Sequence, residues 1–380
     1  MAITRIGNIA STIPDSSVQN VKMSNIVQSK NIIINGSMDI AQRATSVSSI
    51  SSGNTIHTCD RWKTYASSAG TWTQTQEALT SGDPYTNGFA TSLKLDCTTA
   101  NGSLSSGSYL QIAQSIEAQN LQYIKKGTSN AEQLTASFWV KSTKTGTNIL
   151  QFVSLDNTVR ICAKSYTINS SDTWEKKTIT IPADTSSTGK IDNNNGEGMR
   201  MIFWVAAGTD YTSGTLATTW QNTNNPDRAV GQINNADSTS NNFEITGVQL
   251  EAGTSASEFE FLPVDVNLER CQRYYEKLGY SYSDIPGSTD NFNGGIMGTR
   301  QISGYYTGIQ FKTLKRASPT CTVYAVSGGS ETAGILIDFA TGGSLGSASI
   351  GRINASGVAQ ITATDSTNGT IYRLTAEAEL

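Results

Sequence analysis

The strongest constraint on the fold is a two-residue alternation of apolar and polar side chains that recurs in short stretches. Successive side chains of a β-strand point to opposite faces, so this period is typical of strands with one buried face. Gly, Asn and Ser separate the stretches, as expected at turns. Clear examples are Leu93-Lys-Leu-Asp-Cys97, Phe138-Trp-Val-Lys141 and Thr178-Ile-Thr-Ile181. The alternation predicts an all-β protein.

The composition agrees with that prediction. The 380 residues include 34 Gly, and Ser and Thr are abundant, which disfavours helices. With 37% hydrophobic residues the chain can still build cores. The net charge of −4 provides no basic face for nucleic acid, and no apolar run approaches the roughly 20 residues of a membrane span. We therefore expect neither nucleic-acid binding nor membrane insertion.

Four segments differ in their patterns. Residues 1–30 are polar and lack a sustained period, which predicts an N-terminal arm with no signal-like apolar stretch. Residues 31–262 contain all six tryptophans and many short strands, which predicts a β-sandwich of jelly-roll type. A linking helix is predicted over residues 263–279. Residues 280–380 return to strands and predict a smaller C-terminal β-domain, whose alternation continues over residues 372–380.

One strand carries a local irregularity. Phe243 and Ile245 point to one face, and Val248 and Leu250 keep that face only if one extra residue is inserted between the two pairs. A β-bulge with a glycine supplies such a residue. The sequence therefore predicts a bulge at Thr246-Gly247.

The predicted helix is bounded by Pro263 and Gly279, residues typical of helix ends. Its apolar residues are four and three positions apart, as in a heptad seam, although two heptads are fewer than a coiled coil needs. The seam consists of Val264, Leu268, Cys271, Tyr275 and Leu278. Two interpretations stay open, a helix packed on the sandwich and a helix at an oligomer axis.

Six segments together resemble a known family. They are Asn31-Ile-Ile-Ile-Asn-Gly-Ser-Met-Asp-Ile-Ala-Gln-Arg43, Asp60-Arg-Trp62, Phe138-Trp-Val-Lys-Ser142, Gly247-Val-Gln-Leu-Glu-Ala-Gly253, Glu269-Arg-Cys-Gln-Arg-Tyr-Tyr275 and Arg316-Ala-Ser-Pro-Thr320. In order and spacing they resemble virion proteins of tailed bacteriophages, described as tail fibres or virion structural proteins, whose main domain resembles a carbohydrate-binding-module jelly roll. Ala44 departs from the pattern, since such sequences often have Gly there.

The resemblance implies a homotrimeric fibre located on the virion and made in the host cytoplasm. The arm at residues 1–30 would bind other virion proteins, and the β-domains would bind host surface glycan. The resemblance leaves open whether the fibre sits on tail or head. A second hypothesis is a purely structural virion protein, a head-decorating fibre or tail connector that binds only proteins. A third, a cellular sugar-binding module, is disfavoured by the absence of a signal-like N-terminal segment.

The connection over residues 208–242 is the most site-like stretch, because connections this long are uncommon and often functional. Tyr and Trp offer flat faces for sugar rings, and Asn, Asp and Arg offer planar hydrogen-bonding groups for hydroxyls. The predicted glycan-binding residues are Tyr211, Trp220, Asn222, Asp227 and Arg228. The alternative is a loop that packs on its own sandwich or on a neighbouring subunit. A second candidate is a C-terminal tip with Tyr280, Tyr282, Tyr305 and Tyr306.

Other chemistry-bearing residues favour structural roles. Asp60-Arg61-Trp62 could hold a sugar, but we favour a half-buried ion pair beside a core tryptophan, a common structural device at the start of a strand. His57, the one histidine, shares a strand face with Cys59, and nothing nearby completes a metal site. Phage glycan depolymerases usually use long repetitive β-helices, and no internal repeat of fixed period is present here, so we predict no enzyme activity.

Five scattered cysteines predict small buried side chains without disulfides. No cofactor is expected. A structural Ca²⁺ of the kind that such jelly rolls often hold stays open, although the sequence has no dense acidic loop of calcium-binding type.

Overall fold

The computed structural model describes residues 30–279, 309–327, 330–338, 344–363, 369–370 and 373–380. These residues form mostly β-strands, so the all-β prediction is confirmed. Three short helices lie among them: α1 (Gly82–Thr86), α2 (Thr209–Thr212) and α3 (Val264–Gln272). No helix of the described residues is long and apolar enough to cross a membrane.

The first unit is built from eleven strands, as follows: β1 (Ser46–Thr55), β2 (Lys63–Ala78), β3 (Thr91–Thr99), β4 (Tyr109–Glu117), β5 (Leu134–Ser142), β6 (Gly146–Ser154), β7 (Arg160–Ile168), β8 (Glu175–Ile181), β9 (Glu197–Ala207), β10 (Gln221–Asn222) and β11 (Asn242–Ala252). They pair in the order β10-β7-β6-β9-β4-β2-β3-β11-β5-β8, with β1 added to β2. This single path curls into a sandwich of jelly-roll type.

The long strand β2 belongs to both layers of the sandwich. Its first part, Lys63–Ser67, pairs with β4, and its second part, Thr71–Ala78, pairs with β3. Ser68 and Gly70 between them have positive φ angles of 50° and 77°, which bend the strand. A Cβ at Gly70 would lie 2.5 Å from the Thr99 carbonyl oxygen, so the bend requires glycine.

The core lies between the two layers and is rich in aromatic side chains. Trp62, Trp72, Phe138 and Phe243 are fully buried there. Strand β9 is apolar on both faces, because Phe203 enters this core while Trp204 lies in a second cluster on the outer face. The outer cluster is covered by the long connection that follows β9.

The predicted bulge is confirmed. Thr246 of β11 lies opposite Trp139 of β5, and Gln249 lies opposite Ser137, so β11 contains one extra residue between these pairs. Gly247 has a φ of 60°. The four apolar side chains that share the inner face are fully buried: Phe243, Ile245, Val248 and Leu250.

The predicted helix to Leu278 is wrong. Helix α3 ends at Gln272, and Tyr275 and Leu278 lie on strand β12 (Tyr275–Gly279). The seam residues therefore do not share a face of one helix. Val264 is 67% exposed, whereas Cys271 is fully buried in a cluster that Leu268 packs against. That cluster also contains Ile34, Ile40 and Tyr274, so these contacts are made within the chain.

The second unit has two small antiparallel sheets. Its remaining strands are β13 (Ile309–Gln310), β14 (Thr320–Ser327), β15 (Ser330–Ala333), β16 (Ile335–Asp338), β17 (Ser344–Asn354), β18 (Gly357–Ala363), β19 (Gly369–Thr370) and β20 (Arg373–Glu377). The orders are β12-β20-β14-β15 and β13-β18-β17-β16-β19. This unit begins at Tyr275, five residues before the predicted boundary, because β12 pairs with β20. Strand β20 is hydrogen-bonded on both sides, as the terminal alternation predicts.

The segment Asp60–Trp62 forms a structural cluster, with charged groups beside a core tryptophan, and is not an open sugar site. All three are buried. Arg61 donates to the Glu379 carboxylate of the second unit, and Trp62 Nε1 donates to the Asn35 carbonyl oxygen at 2.9 Å. Burial raises the pKa of Asp60 to about 6, against the opposing effect of Arg43. All five cysteines are free, and only Cys321 is not fully buried.

Candidate functional site

The long connection after β9 packs across the outer face of its own sandwich. Strand β10 pairs with β7, and the Ala163 N–H donates to the Ala217 carbonyl oxygen at 2.7 Å. Ala217 and Ala229 are buried against Ile202 and Trp204. The connection thus covers the sheet closely. This agrees with the alternative that the sequence left open, a loop that packs on its own sandwich.

Trp220 is held by contacts on several sides. Its ring packs against the main core, and its Nε1 donates to the Pro182 carbonyl oxygen at 2.8 Å. The Lys126 ammonium lies 4.2 Å from the ring centroid. That ammonium is itself fixed, because it donates to Asp184 at 2.6 Å, and Asp184 also accepts from Arg160. The indole is therefore part of a buried ionic and aromatic arrangement.

Asn222 and Asp227 use their polar atoms to shape the connection. The Asn222 side-chain oxygen accepts from Arg160 at 3.2 Å. Asp227 accepts from the Asn224 and Gln221 amides, both at 2.9 Å, and from a backbone N–H of the connection. The hydrogen bond from Asn224 lowers the pKa of Asp227. The turn that holds Asp227 packs against α2, the short helix that holds Tyr211.

Tyr211 and Arg228, in contrast, come together on the sheet. The Arg228 guanidinium carbon lies 5.3 Å from the Trp204 ring centroid and 5.6 Å from that of Tyr211. The Tyr211 ring meets Tyr109 of β4 edge-on, with centroids 5.8 Å apart. The predicted pair thus extends onto strand residues that the sequence reasoning did not select.

Tyr65 of β2 continues this surface. In the strand register, Tyr65 lies opposite Gln111, so Tyr109, two residues before Gln111 on β4, is the diagonal neighbour of Tyr65. The Arg200 guanidinium carbon lies 5.1 Å from the Tyr65 ring centroid. Burial raises the pKa of both Tyr65 and Tyr211, so their hydroxyls are neutral at pH 7.

We call this surface the aromatic strip. Its members are partly exposed, and they are Tyr65, Tyr109, Arg200, Tyr211 and Arg228. The strip offers flat rings next to planar cationic groups. The signal that could have found Tyr65 is the alternation Lys63-Thr-Tyr65-Ala. It places Lys63 and Tyr65 on the face opposite to the core.

The other sequence candidates provide no site. Tyr280, Tyr282, Tyr305 and Tyr306 lie outside the described residues. His57 is half-buried, and burial lowers its pKa. Within the described part of the chain, no group of three or more His, Cys, Asp or Glu side chains could hold a metal ion.

Comparisons with known proteins give similarities of fold. No protein-family model and no curated protein match the chain. Among solved structures, the enzymatically active domain of tailspike protein 4 from bacteriophage CBA120 is 13% identical, with a TM-score of 0.30. The match covers 59% of this chain and 21% of the tailspike chain, so this chain spans about a fifth of that protein.

Carbohydrate-binding modules match at similar levels. The family 11 module of the Clostridium thermocellum cellulase Lic26A-Cel5E is 12% identical over 54% of this chain and 98% of its own, with a TM-score of 0.26. The CBM22-1 xylan-binding domain of Paenibacillus barcinonensis Xyn10C is 12% identical over 56% of this chain and 94% of its own, with a TM-score of 0.23. Nothing about ligand or activity follows from identities this low.

Proposed function

We propose that the protein is a non-enzymatic fibre of a phage virion and that it binds host surface glycan through the aromatic strip. The observation that carries the proposal is the strip itself, in which three partly exposed tyrosines are flanked by two arginines on an outer face of the sandwich. A pyranose ring has an apolar C–H face and a rim of hydroxyls. Tyrosine rings can pack against the C–H face, and guanidinium and phenol groups can hydrogen-bond with the hydroxyls.

The arginines are pre-oriented for this role. Arg200 donates to both oxygens of Glu197, at 2.7 and 2.6 Å, which fixes the plane of its guanidinium. Arg228 is held over Trp204 and Tyr211. Ordering these long side chains before binding reduces the entropy lost when a sugar arrives.

Affinity for a single glycan is expected to be weak. Each tyrosine face covers little apolar area, so one ring contributes on the order of 1–2 kcal/mol. Several linked copies would raise the avidity without any new contact. Weak single sites therefore suit a particle that carries several fibres.

The strip is tested by replacing Tyr65 and Tyr109 with alanine, singly and together, and measuring adsorption of particles to host cells. We expect the double variant to lower adsorption by about tenfold or more, since about 1.4 kcal/mol is worth a factor of ten. Tyr123→Ala is a matched control, because Tyr123 is 49% exposed and lies outside the strip. Unchanged adsorption of a folded double variant would contradict glycan binding by the strip.

We also propose that residues 1–30 attach the fibre to other virion proteins and that the fibre is a homotrimer. Apolar side chains near α3 support a subunit contact, because Phe261, Val264 and Val266 are 51%, 67% and 41% exposed. Val264→Asp should therefore lower the mass measured by light scattering. A monomeric mass of the unaltered protein would overturn the trimer.

The arm has its own test. A protein lacking residues 1–28 should fold and remain absent from particles. Its incorporation into particles would show that another segment provides the anchor.

A purely structural virion protein is the second candidate. It is favoured by the internal hydrogen bonds of Asn222 and Asp227, which leave the long connection a structural part of the sandwich. Normal incorporation into particles combined with normal adsorption of the Tyr65 and Tyr109 variants would select this candidate.

A further inference from the structure

A groove of about 500 Å³ opens on the other layer of the sandwich, away from the aromatic strip. Its floor is one row of charged residues across three strands, because Glu244 of β11 lies opposite Lys94 of β3 and Lys141 of β5. The neighbouring residues Leu93 and Ile245 enter the core, so this row faces outward. The groove and the strip have no residue in common.

The walls come from two connections. Trp174 and Asp172 form one wall, and residues 77–83 form the other. Gly82 lets the two walls approach, since a Cβ there would lie only 3.1 Å from Trp174 Cδ1. Gly82 also has a φ of 87°, which disfavours any other residue. The indole of Trp174 is thereby held beside the charged floor.

The amines of the floor are already neutralised. Lys141 Nζ lies 3.1 Å from Glu244 and 3.8 Å from Asp172, and Lys94 Nζ lies 3.1 Å from Asp96. The lining contains four carboxylates and two amines, a formal excess of two negative charges: Glu77, Asp83, Asp172 and Glu244 against Lys94 and Lys141. An acidic ligand would meet like charge without a free cation.

A cationic ligand is also disfavoured at the indole. Lys141 Nζ lies 5.2 Å from the Trp174 ring centroid, so the position that attracts a cation is occupied by the chain's own ammonium. What remains is an apolar ring edge among the exposed carboxylates of Glu77, Asp83 and Asp172, which can accept hydrogen bonds from hydroxyls. The volume lies in the range of about 300–1,000 Å³ that is usual for small-molecule sites.

We infer that this groove is a second binding site, which takes a neutral saccharide with the sugar ring against Trp174 and the hydroxyls on the carboxylates around it. The inference does not depend on the strip. The two sites lie on different layers, so one fibre could contact a branched or extended glycan at two places.

The test is titration of the full chain with neutral oligosaccharides of glucose, mannose and galactose, followed by calorimetry or NMR. We expect at least one of them to bind saturably and Trp174→Ala to weaken that binding about tenfold or more, while Trp174→Phe retains most of it. The control Lys176→Ala, which is exposed on β8 outside the groove, should bind as the unaltered protein does.

Three outcomes would overturn the inference. They are no saturable binding of any neutral oligosaccharide, binding that Trp174→Ala leaves unchanged, and binding of only acidic oligosaccharides or of spermine. If Trp174→Ala does not fold, Asp83→Ala on the exposed end of the other wall is used, and several-fold weaker binding is expected. Failure of the strip appears instead as unaltered adsorption of the Tyr65 and Tyr109 variants, so the two proposals fail separately.

Discussion

Arg61 donates to the carboxylate of Glu379, and this ion pair joins two residues that are 318 positions apart in the chain. Both side chains are buried, with 2% and 8% of their surface exposed. Arg61 also donates to the Ser115 carbonyl oxygen at 2.6 Å, and its guanidinium carbon lies 3.4 Å from the Tyr274 ring centroid. The guanidinium thus connects the sandwich with the C-terminal unit.

Replacing Glu379 with alanine should be strongly destabilising. The change leaves the Arg61 charge buried without its carboxylate, and breaking a buried pair in this way costs about 3–5 kcal/mol. Chemical denaturation should show this loss in the free energy of unfolding. Glu377→Ala is the matched control, because Glu377 is 54% exposed and its pair with Arg43 is worth at most about 1 kcal/mol. Equal losses in the two variants would contradict the role of Arg61.

Gly247→Ala should destabilise the sandwich through the bulge. A Cβ at Gly247 would lie 2.7 Å from Phe89 Cζ and 3.0 Å from Trp139 Cδ1, and the residue has a positive φ of 60°. Backbone strain and overpacking together should cost about 2–3 kcal/mol of unfolding free energy. At Gly102, where a Cβ would meet nothing within 4 Å, alanine should leave the unfolding free energy nearly unchanged. A stable Gly247→Ala protein would show that β11 can shift its register.

The bulge could be predicted from sequence because its signal is local. Four apolar residues had to share one face, and Gly247 was available to supply the extra position. The end of helix α3 at Gln272 could not be predicted in the same way. Spacings of four and three fit a heptad, but the residues from Tyr275 onward pair with β20 about a hundred residues later. Non-local pairing overrides local periodicity in such cases.

The candidate site also combines residues with a local sequence signal and residues that only non-local pairing brings together. The sequence selected Tyr211 and Arg228 because they lie in a long connection with other polar and aromatic residues. It did not select Tyr65 and Tyr109, since only the pairing of β2 with β4 makes them neighbours. It also placed Trp220 in the site, because the distant Lys126 and Pro182 that fix the indole are not visible from the local sequence.

Trp220→Ala should lower stability rather than change glycan binding directly. The substitution empties a position against the core and leaves the Pro182 carbonyl oxygen without its donor, at a cost of about 3 kcal/mol. The melting temperature should fall clearly in Trp220→Ala. It should fall less in Trp220→Phe, because that variant keeps a ring. A normal melting temperature with reduced particle adsorption would instead identify Trp220 as a glycan-stacking residue.

Glu175→Gln should remove a stabilising effect that depends on pH. Burial alone would raise the pKa of Glu175, but hydrogen bonds from Lys177, from the Asn169 and Ser170 N–H groups and from the Asn169 amide lower it to about 2. The folded pKa thus lies below the ordinary value of 4.5, so the carboxylate stabilises the fold above that pH and loses this effect as the pH falls towards 2.

At pH 7 the Glu175→Gln variant should lose about 1–3 kcal/mol of unfolding free energy, because hydrogen bonds to a charged group are strong. Near pH 2 the two proteins should unfold alike. As a control, Glu258→Gln at an exposed position should leave the unfolding free energy at pH 7 nearly unchanged. A loss for Glu175→Gln that is the same at every pH would show that the amide disturbs the turn by its shape and not by its missing charge.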